Sequence, residues 1–210
     1  MSIRLYDYWR SSAAYRVRIG LNMKGLEYES IPVDLLTRAN REPDYLAKNP
    51  QGLVPTLEID GLTLTQSVAI LEYIDETRPE PPLLPDDPAG RARVRALAYA
   101  IAMEIHPVCN LSVARHAAEW AGATDGMKTW MLQWIGPRLE AVEKMLDDPA
   151  TGRFCHGDAP GLADIVLMPQ IYNARRWGVD LGPMPRMMEI VARLEEIPAF
   201  AAAYPDAVQP

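Results

Sequence analysis

Val54-Pro55-Thr56-Leu57-Glu58-Ile59-Asp60-Gly61-Leu62-Thr63-Leu64 reads as a β-hairpin. Two short apolar runs flank Asp60-Gly61, and that dipeptide supplies the positive-φ positions a tight two-residue turn requires. Working outward, Ile3-Arg4-Leu5-Tyr6-Asp7-Tyr8 and Tyr28 to Val33 are strand-like runs ending at polar or proline breaks. Between them Val17, Leu21 and Lys24, with Ala13, Ala14 and Ile19, fit a helix that begins after the serines and stops at Gly25. Pro43 to Lys48 is a short helix candidate, and Val68, Ile70, Leu71 and Ile74 recur at helical spacing within Ser67 to Glu76. The order is βαβαββα, an α/β pattern with a mixed sheet.

The pattern stops at Arg78-Pro79-Glu80-Pro81-Pro82-Leu83-Leu84-Pro85-Asp86-Asp87-Pro88, where five prolines forbid a helix interior or a central strand. Beyond it the chain reads helical. Val94, Leu97, Ala98, Ile101 and Ile105 make one apolar stripe. Met127, Trp130, Met131, Trp134 and Ile135 make another, which Leu139, Val142 and Met145 continue past Pro137. A last helix is expected over Met187 to Leu194. The reading is an α/β domain at 1–80, a proline-rich linker at 81–90 and an all-helical domain at 91–210.

Composition narrows the function. With 210 residues, 49% hydrophobic and 23% charged, the chain can bury a substantial core without disulfides. Its two cysteines, Cys109 and Cys155, exclude a disulfide scaffold and a four-thiolate zinc site and suit a reducing compartment. A net charge of −7 argues against nucleic acid as a bulk partner. No leader, no apolar run near the roughly 20 residues of a membrane span and no metal-ligand spacing is visible. The expectation is a cytoplasmic protein with no membrane partner.

Three segments carry more than periodicity. They are Tyr8-Trp9-Arg10-Ser11-Ser12-Ala13-Ala14-Tyr15-Arg16-Val17-Arg18; Asn49-Pro50-Gln51-Gly52-Leu53-Val54-Pro55-Thr56-Leu57 with Leu64-Thr65-Gln66-Ser67-Val68-Ala69-Ile70; and Gly157-Asp158-Ala159-Pro160-Gly161-Leu162-Ala163-Asp164-Ile165. In this order they resemble the glutathione transferase superfamily. The Ser-Ser-x-x-x-Arg-Val-Arg form resembles its zeta class, the maleylacetoacetate isomerases, as do Ile105-His106-Pro107 and the run Asn173 to Leu181. The resemblance spans essentially the whole chain. It implies a thioredoxin-like first domain, a helical-bundle second domain, glutathione as cofactor and a homodimer.

The chemistry suits these residue types. A free thiol of pKa about 8.5 is mostly protonated at neutral pH, so glutathione must meet hydrogen-bond donors and positive potential at its sulfur. A helix N-terminus offers both, and a serine hydroxyl there adds a donor. By resemblance Ser11 is the catalytic serine, Ser12 a helper or a cap, and Arg10 a neighbour in the catalytic set. On residue type alone, both serines are simply favoured N-caps. The resemblance makes Val54-Pro55 a cis-proline turn whose preceding backbone groups pair with the cysteinyl part of glutathione. It sends the γ-glutamyl end to Gln66-Ser67, at the start of a helix. Gln51 is then the partner for the peptide's other end.

Maleylacetoacetate and maleylpyruvate are dianions, and two-pronged guanidinium groups suit carboxylates. Arg10 and Arg176 are the substrate residues the resemblance implies. His106 and Asn110, four apart and read as sharing a helix face, are assigned by it to glutathione. Asp164, three residues after Gly161, is a helix-start device and not a general acid. Two positions depart from the family pattern: Ala13 stands where many members have cysteine, and Ser112 where related isomerases often carry arginine. The implied activity is glutathione-dependent cis–trans isomerisation. The alternative is a transferase that conjugates or dehalogenates electrophiles such as α-haloacids, and consumes glutathione. A non-catalytic binding module on the same fold is a third reading.

Overall fold

A computed structural model describes residues 2–122 and 124–209. Contacts divide the chain into two units, Met1–Pro82 with Glu195–Pro210, and Leu83–Leu194.

The first unit holds four strands and the helices between them: β1 (Ile3–Asp7), α1 (Ser12–Met23), β2 (Tyr28–Pro32), α2 (Pro43–Leu46), β3 (Thr56–Ile59), β4 (Leu62–Thr65) and α3 (Ser67–Thr77). The sheet order is β2-β1-β3-β4. β1 runs parallel to β2, as a helical crossover demands, and antiparallel to β3, which turns back into β4 at Asp60-Gly61. Both turn residues have positive φ, 53° and 80°. The mixed sheet expected from the order of elements and the thioredoxin-like domain implied by the resemblance are both present.

One face of the sheet is closed by α1 and α3. Leu5, Leu57 and Ile59 from the strands meet Val17, Leu21, Ile70 and Ile74 from the helices in one buried cluster. The helices approach so closely that a Cβ on Gly20 would run into the Leu71 side chain. Glycine is needed there for space.

The last residues also belong to this unit, an arrangement no periodicity announces. A short helix, Pro198–Ala202, packs on α1. Asn22 Nδ2 donates to Ala199 O at 3.0 Å and Arg18 Nε to Ala203 O at 3.1 Å. Arg18 also donates to both Asp7 carboxylate oxygens, at 2.7 and 2.8 Å, and to Trp9 O at 2.8 Å. That buried guanidinium ties β1, the loop after it, α1 and the C-terminal segment together.

The second unit is helical. Its elements are α4 (Pro88–Ala102), α5 (Leu111–Ala121), α6 (Gly126–Met145), α7 (Leu162–Trp177) and α8 (Pro185–Glu195), so the C-terminal helix Pro198–Ala202 is α9. α6 runs on through Pro137, as its apolar stripe predicts. α4 ends at Ala102 and leaves Ile105 in the following turn, buried all the same. The proline-rich stretch is not a loose tether: Leu83 and Leu84 are buried, and Leu83 O accepts from Leu162 N at 2.8 Å. Asp164 holds the start of α7, accepting from Gly161 N and from Cys155 N, each at 2.9 Å. Its carboxyl is pushed up by complete burial, with those two amides pulling it back. The folding role read for Asp164 fits this geometry. Among the described residues, no helix is long and apolar enough to cross a membrane.

Candidate active site

Strand register gathers the first unit's candidate residues. Tyr6 pairs with Thr56, and Thr56 pairs with Thr65, so one row of residues crosses three strands. The loop carrying Arg10 and Ser11 follows that row on β1, Val54-Pro55 precedes it on β3, and Gln66-Ser67 follows it on β4. Antiparallel pairing of β1 with β3 and of β3 with β4 therefore brings three distant stretches of sequence out at one edge of the sheet.

Ser11 is the N-cap of α1, and its Oγ accepts from Ala14 N at 3.3 Å. Its own N–H donates to Tyr8 O at 2.7 Å, which fixes the turn out of β1. The capping role read from residue type is thus real, yet it does not compete with a catalytic one. A hydroxyl accepts with a lone pair and keeps its proton to donate. Ser12 is the first residue of α1, and the first turn of that helix holds no acidic residue to neutralise its positive end. Arg10 stacks over the Trp9 ring at 5.2 Å and over Tyr8 at 6.0 Å, and its Nη2 reaches Tyr8 Oη at 3.4 Å. The aromatic ledge holds a cation beside the helix start.

The Val54-Pro55 peptide is cis. The loop before it is firmly held: Tyr45 Oη donates to Leu53 O at 2.6 Å, Asn49 Nδ2 to the same oxygen at 2.7 Å, and Asn40 Nδ2 to Gly52 O at 2.6 Å. A rigid loop presents the Val54 peptide groups at the head of β3, where an added strand could pair with them.

Gln66 precedes α3 with φ 68° and ψ 107°, a conformation that side-chain-bearing residues rarely adopt. Its Nε2 donates to Gln51 Oε1 at 2.7 Å, so these two predicted residues are brought together directly. Ser67 opens α3 and is buried, and the first turn of α3 again carries no acid. Two helix starts, neither with an acid in its first turn, thus lie at the same end of the sheet.

The remaining candidates lie in the second unit. His106 and Asn110 do not share a helix face. Residues 103–109 form turns between α4 and α5, because Pro107 disfavours helix at the residue before it. His106 N donates to Ile101 O at 2.9 Å, closing the end of α4. Asn110 is the N-cap of α5, its Oδ1 accepting from Ser112 N at 3.0 Å and from Ser112 Oγ at 2.9 Å. Arg176 is exposed in the last turn of α7, its guanidinium 5.1 Å from the Trp177 ring. A cation suits that helix terminus electrostatically.

Arg16 is what sequence reasoning missed. Its Nη1 donates to Ser67 Oγ at 3.4 Å from a fully buried position. The available signal was its place beside Ala14, Tyr15 and Val17 in a helix with no nearby acid.

Residues 1–76 match the family model described as glutathione S-transferase, N-terminal domain. A maleylacetoacetate isomerase of Rhizobium meliloti (strain 1021) is 59% identical over 98% of this chain and 97% of its own length. A holo maleyl pyruvate isomerase structure, described as a bacterial zeta-class glutathione S-transferase, superposes with TM-score 0.95 at 41% identity, covering 98% of each chain. A maleylacetoacetate isomerase structure from Methylobacterium extorquens AM1, with bound malonate and glutathione, gives TM-score 0.94 at 40% identity, over 99% of this chain and 98% of that one.

Proposed function

The chain belongs to the zeta class of the glutathione S-transferase family, and from that premise we propose that it is a glutathione-dependent cis–trans isomerase of maleylacetoacetate or maleylpyruvate. The observation that carries the reading is the Tyr6–Thr56–Thr65 row, from which Ser11, Val54-Pro55 and Gln66-Ser67 all emerge. Residues 1–80 are assigned to glutathione binding and 91–210 to the substrate, with 81–90 between them, although Glu195–Pro210 pack with the first unit.

Bound glutathione supplies a thiolate that adds reversibly to the conjugated cis double bond, which rotates as a single bond before elimination releases the trans product. The chain's part is to hold charge. Ser11 donates its hydroxyl proton towards the sulfur while its lone pair stays on Ala14 N–H. The start of α1, with Ser12 as its first residue, adds the positive end of a helix dipole. Val54 offers its backbone groups to the cysteinyl residue, and Pro55 fixes the turn that aims them. Gln66 and Ser67 receive the γ-glutamyl end at the start of α3, and Gln51, bonded to Gln66 Nε2, is assigned to the peptide's other end. By the family resemblance His106 and Asn110 are also assigned to glutathione.

By the resemblance Arg10, held on its aromatic ledge, and Arg176 are assigned to the substrate's carboxylates, which their two-pronged guanidinium groups suit. The bound malonate of the Methylobacterium protein supports a dicarboxylate as the substrate class. The N–H groups at the start of α1 and the Arg10 guanidinium beside them supply donors for the oxygen that gains charge when the double bond is attacked. The protein is assigned to the cytoplasm and to a homodimer, in keeping with two unpaired cysteines and the family pattern.

The test is turnover of maleylpyruvate and maleylacetoacetate by purified protein with glutathione in catalytic amount. Isomerisation without loss of glutathione is expected. Stoichiometric consumption of glutathione, or turnover of α-haloacids alone, would replace the isomerase reading with a conjugating or dehalogenating transferase.

A further inference from the structure

Two arginines, Arg16 and Arg18, follow Ser11 on α1, and their surroundings differ sharply. Arg18 is 1% exposed and fully engaged, with the Asp7 carboxylate, Trp9 O and Ala203 O as acceptors. Arg16 is 2% exposed, yet only Nη1 has an acceptor, Ser67 Oγ at 3.4 Å. Its Nε and Nη2 are buried without a hydrogen-bond partner among the described residues. Among the described residues no carboxylate offsets its charge: burial alone pulls the guanidinium down, to about 10, which leaves it cationic at neutral pH. Buried cations are ordinarily paired, so one left unbalanced marks a place where an anion completes the site.

The place is the start of α3. That helix runs over 11 residues, its first turn has no acid, and Ser67 opens it. Because Arg16 donates to Ser67 Oγ, it occupies one of that oxygen's two lone pairs, and the hydroxyl keeps its proton to donate to a ligand. The arrangement repeats the logic of Ser11, with a guanidinium in place of a backbone amide as the donor behind the hydroxyl.

We propose that Arg16 is a positioning residue for the α-carboxylate of glutathione's γ-glutamyl residue, acting through the Ser67 hydroxyl. The proposal rests on the reading above that this end of glutathione sits at the start of α3. Arg16 contributes twice. It orients the Ser67 proton outward, and its buried charge adds to the dipole of α3 at the point where the carboxylate arrives. The consequence is selectivity for a peptide that carries that carboxylate.

The experiment compares binding of glutathione with that of γ-aminobutyryl-cysteinylglycine, which lacks only this carboxylate, by calorimetry on the full-length protein. Wild type is expected to prefer glutathione by at least about tenfold, the scale of a hydrogen bond to a charged group. Arg16→Met is expected to weaken glutathione by about tenfold while leaving the analogue unchanged, so that the preference collapses. Arg16→Lys should restore part of it. Should Arg16→Met fail to fold, Ser67→Ala and Arg16→Lys carry the test. Ser67→Ala must then lose the preference, and adding Arg16→Lys must cost nothing further. Equal weakening of both ligands by Arg16→Met, or an unchanged preference, overturns the role of Arg16. Equal binding of both ligands by wild type overturns instead the placement of the γ-glutamyl end on α3.

Discussion

The side-chain amide of Gln66 donates to Oε1 of Gln51 across 2.7 Å, joining the residue just before α3 to the loop that precedes the cis proline. Gln66 needs that support, since its backbone at φ 68° is held outside the regions side-chain-bearing residues favour. Gln51→Ala removes the contact without touching either helix start. The apparent KM for glutathione is expected to rise about threefold to tenfold with kcat nearly unchanged, the pattern of lost ground-state binding. Steady-state kinetics with glutathione varied checks this, and a fall in kcat at unchanged KM would assign Gln51 to chemistry instead.

Arg18 predicts stability and not turnover. Arg18→Met leaves the Asp7 carboxylate buried beside an apolar chain, which costs about 3–5 kcal/mol. Burial already pushes the Asp7 carboxyl up, and Arg18 is what pulls it back. Without Arg18 the folded-state pKa of Asp7 rises further above its unfolded value of about 3.9. The folded state then holds the proton more tightly than the unfolded chain. The loss in Arg18→Met is therefore smallest near pH 4 and grows as pH rises through the folded pKa. Urea unfolding across pH measures this, and the double variant Asp7→Asn, Arg18→Met should lose less than the two single losses summed.

The order of the elements was legible because it rests on local signals. Asp60-Gly61 forces a tight turn, Ser11 and Gly25 bound α1, and the prolines after Arg78 end the sheet domain. What stayed hidden depends on partners far along the chain. Nothing near Ala199 or Ala203 shows that their carbonyls receive Asn22 and Arg18. The pairing of Arg16 with Ser67 likewise spans 51 positions. His106 and Asn110 were placed on one helix by their spacing, whereas Pro107 breaks the helix and turns Asn110 into a cap for α5. Within the site, Ser11 was found because a motif and a cap coincide there. Gln66's unusual backbone has no mark in its residue type.

The cysteines give a pH signature. Burial pushes the Cys109 thiol up to about 11, against a smaller opposing pull from Arg138, and pushes Cys155 well above its usual value. Neither thiol should react with an alkylating reagent at pH 8 in the folded protein, whereas both should react in denaturant. For Cys109 the folded pKa lies above the unfolded value of about 8.5. Its contribution to stability is complete below that value and is lost as pH rises towards about 11. The stability advantage of wild type over Cys109→Ala should therefore shrink by on the order of 3 kcal/mol across that window. A gap that widens over the same window would contradict the assignment.

The central claim is that the Ser11 hydroxyl, at the start of α1, stabilises a glutathione thiolate while also capping the helix. Ser11→Gly separates the two duties, because glycine at an N-cap costs only a few tenths of a kcal/mol while the donor is lost entirely. The most direct measurement is kcat/KM for glutathione-dependent isomerisation of maleylpyruvate by Ser11→Gly beside wild type, with thermal unfolding as control. The account predicts a loss of about 100-fold or more with the melting temperature nearly unchanged. Activity within about twofold of wild type in a normally folded Ser11→Gly protein would contradict it, leaving Ser11 as a cap and nothing more.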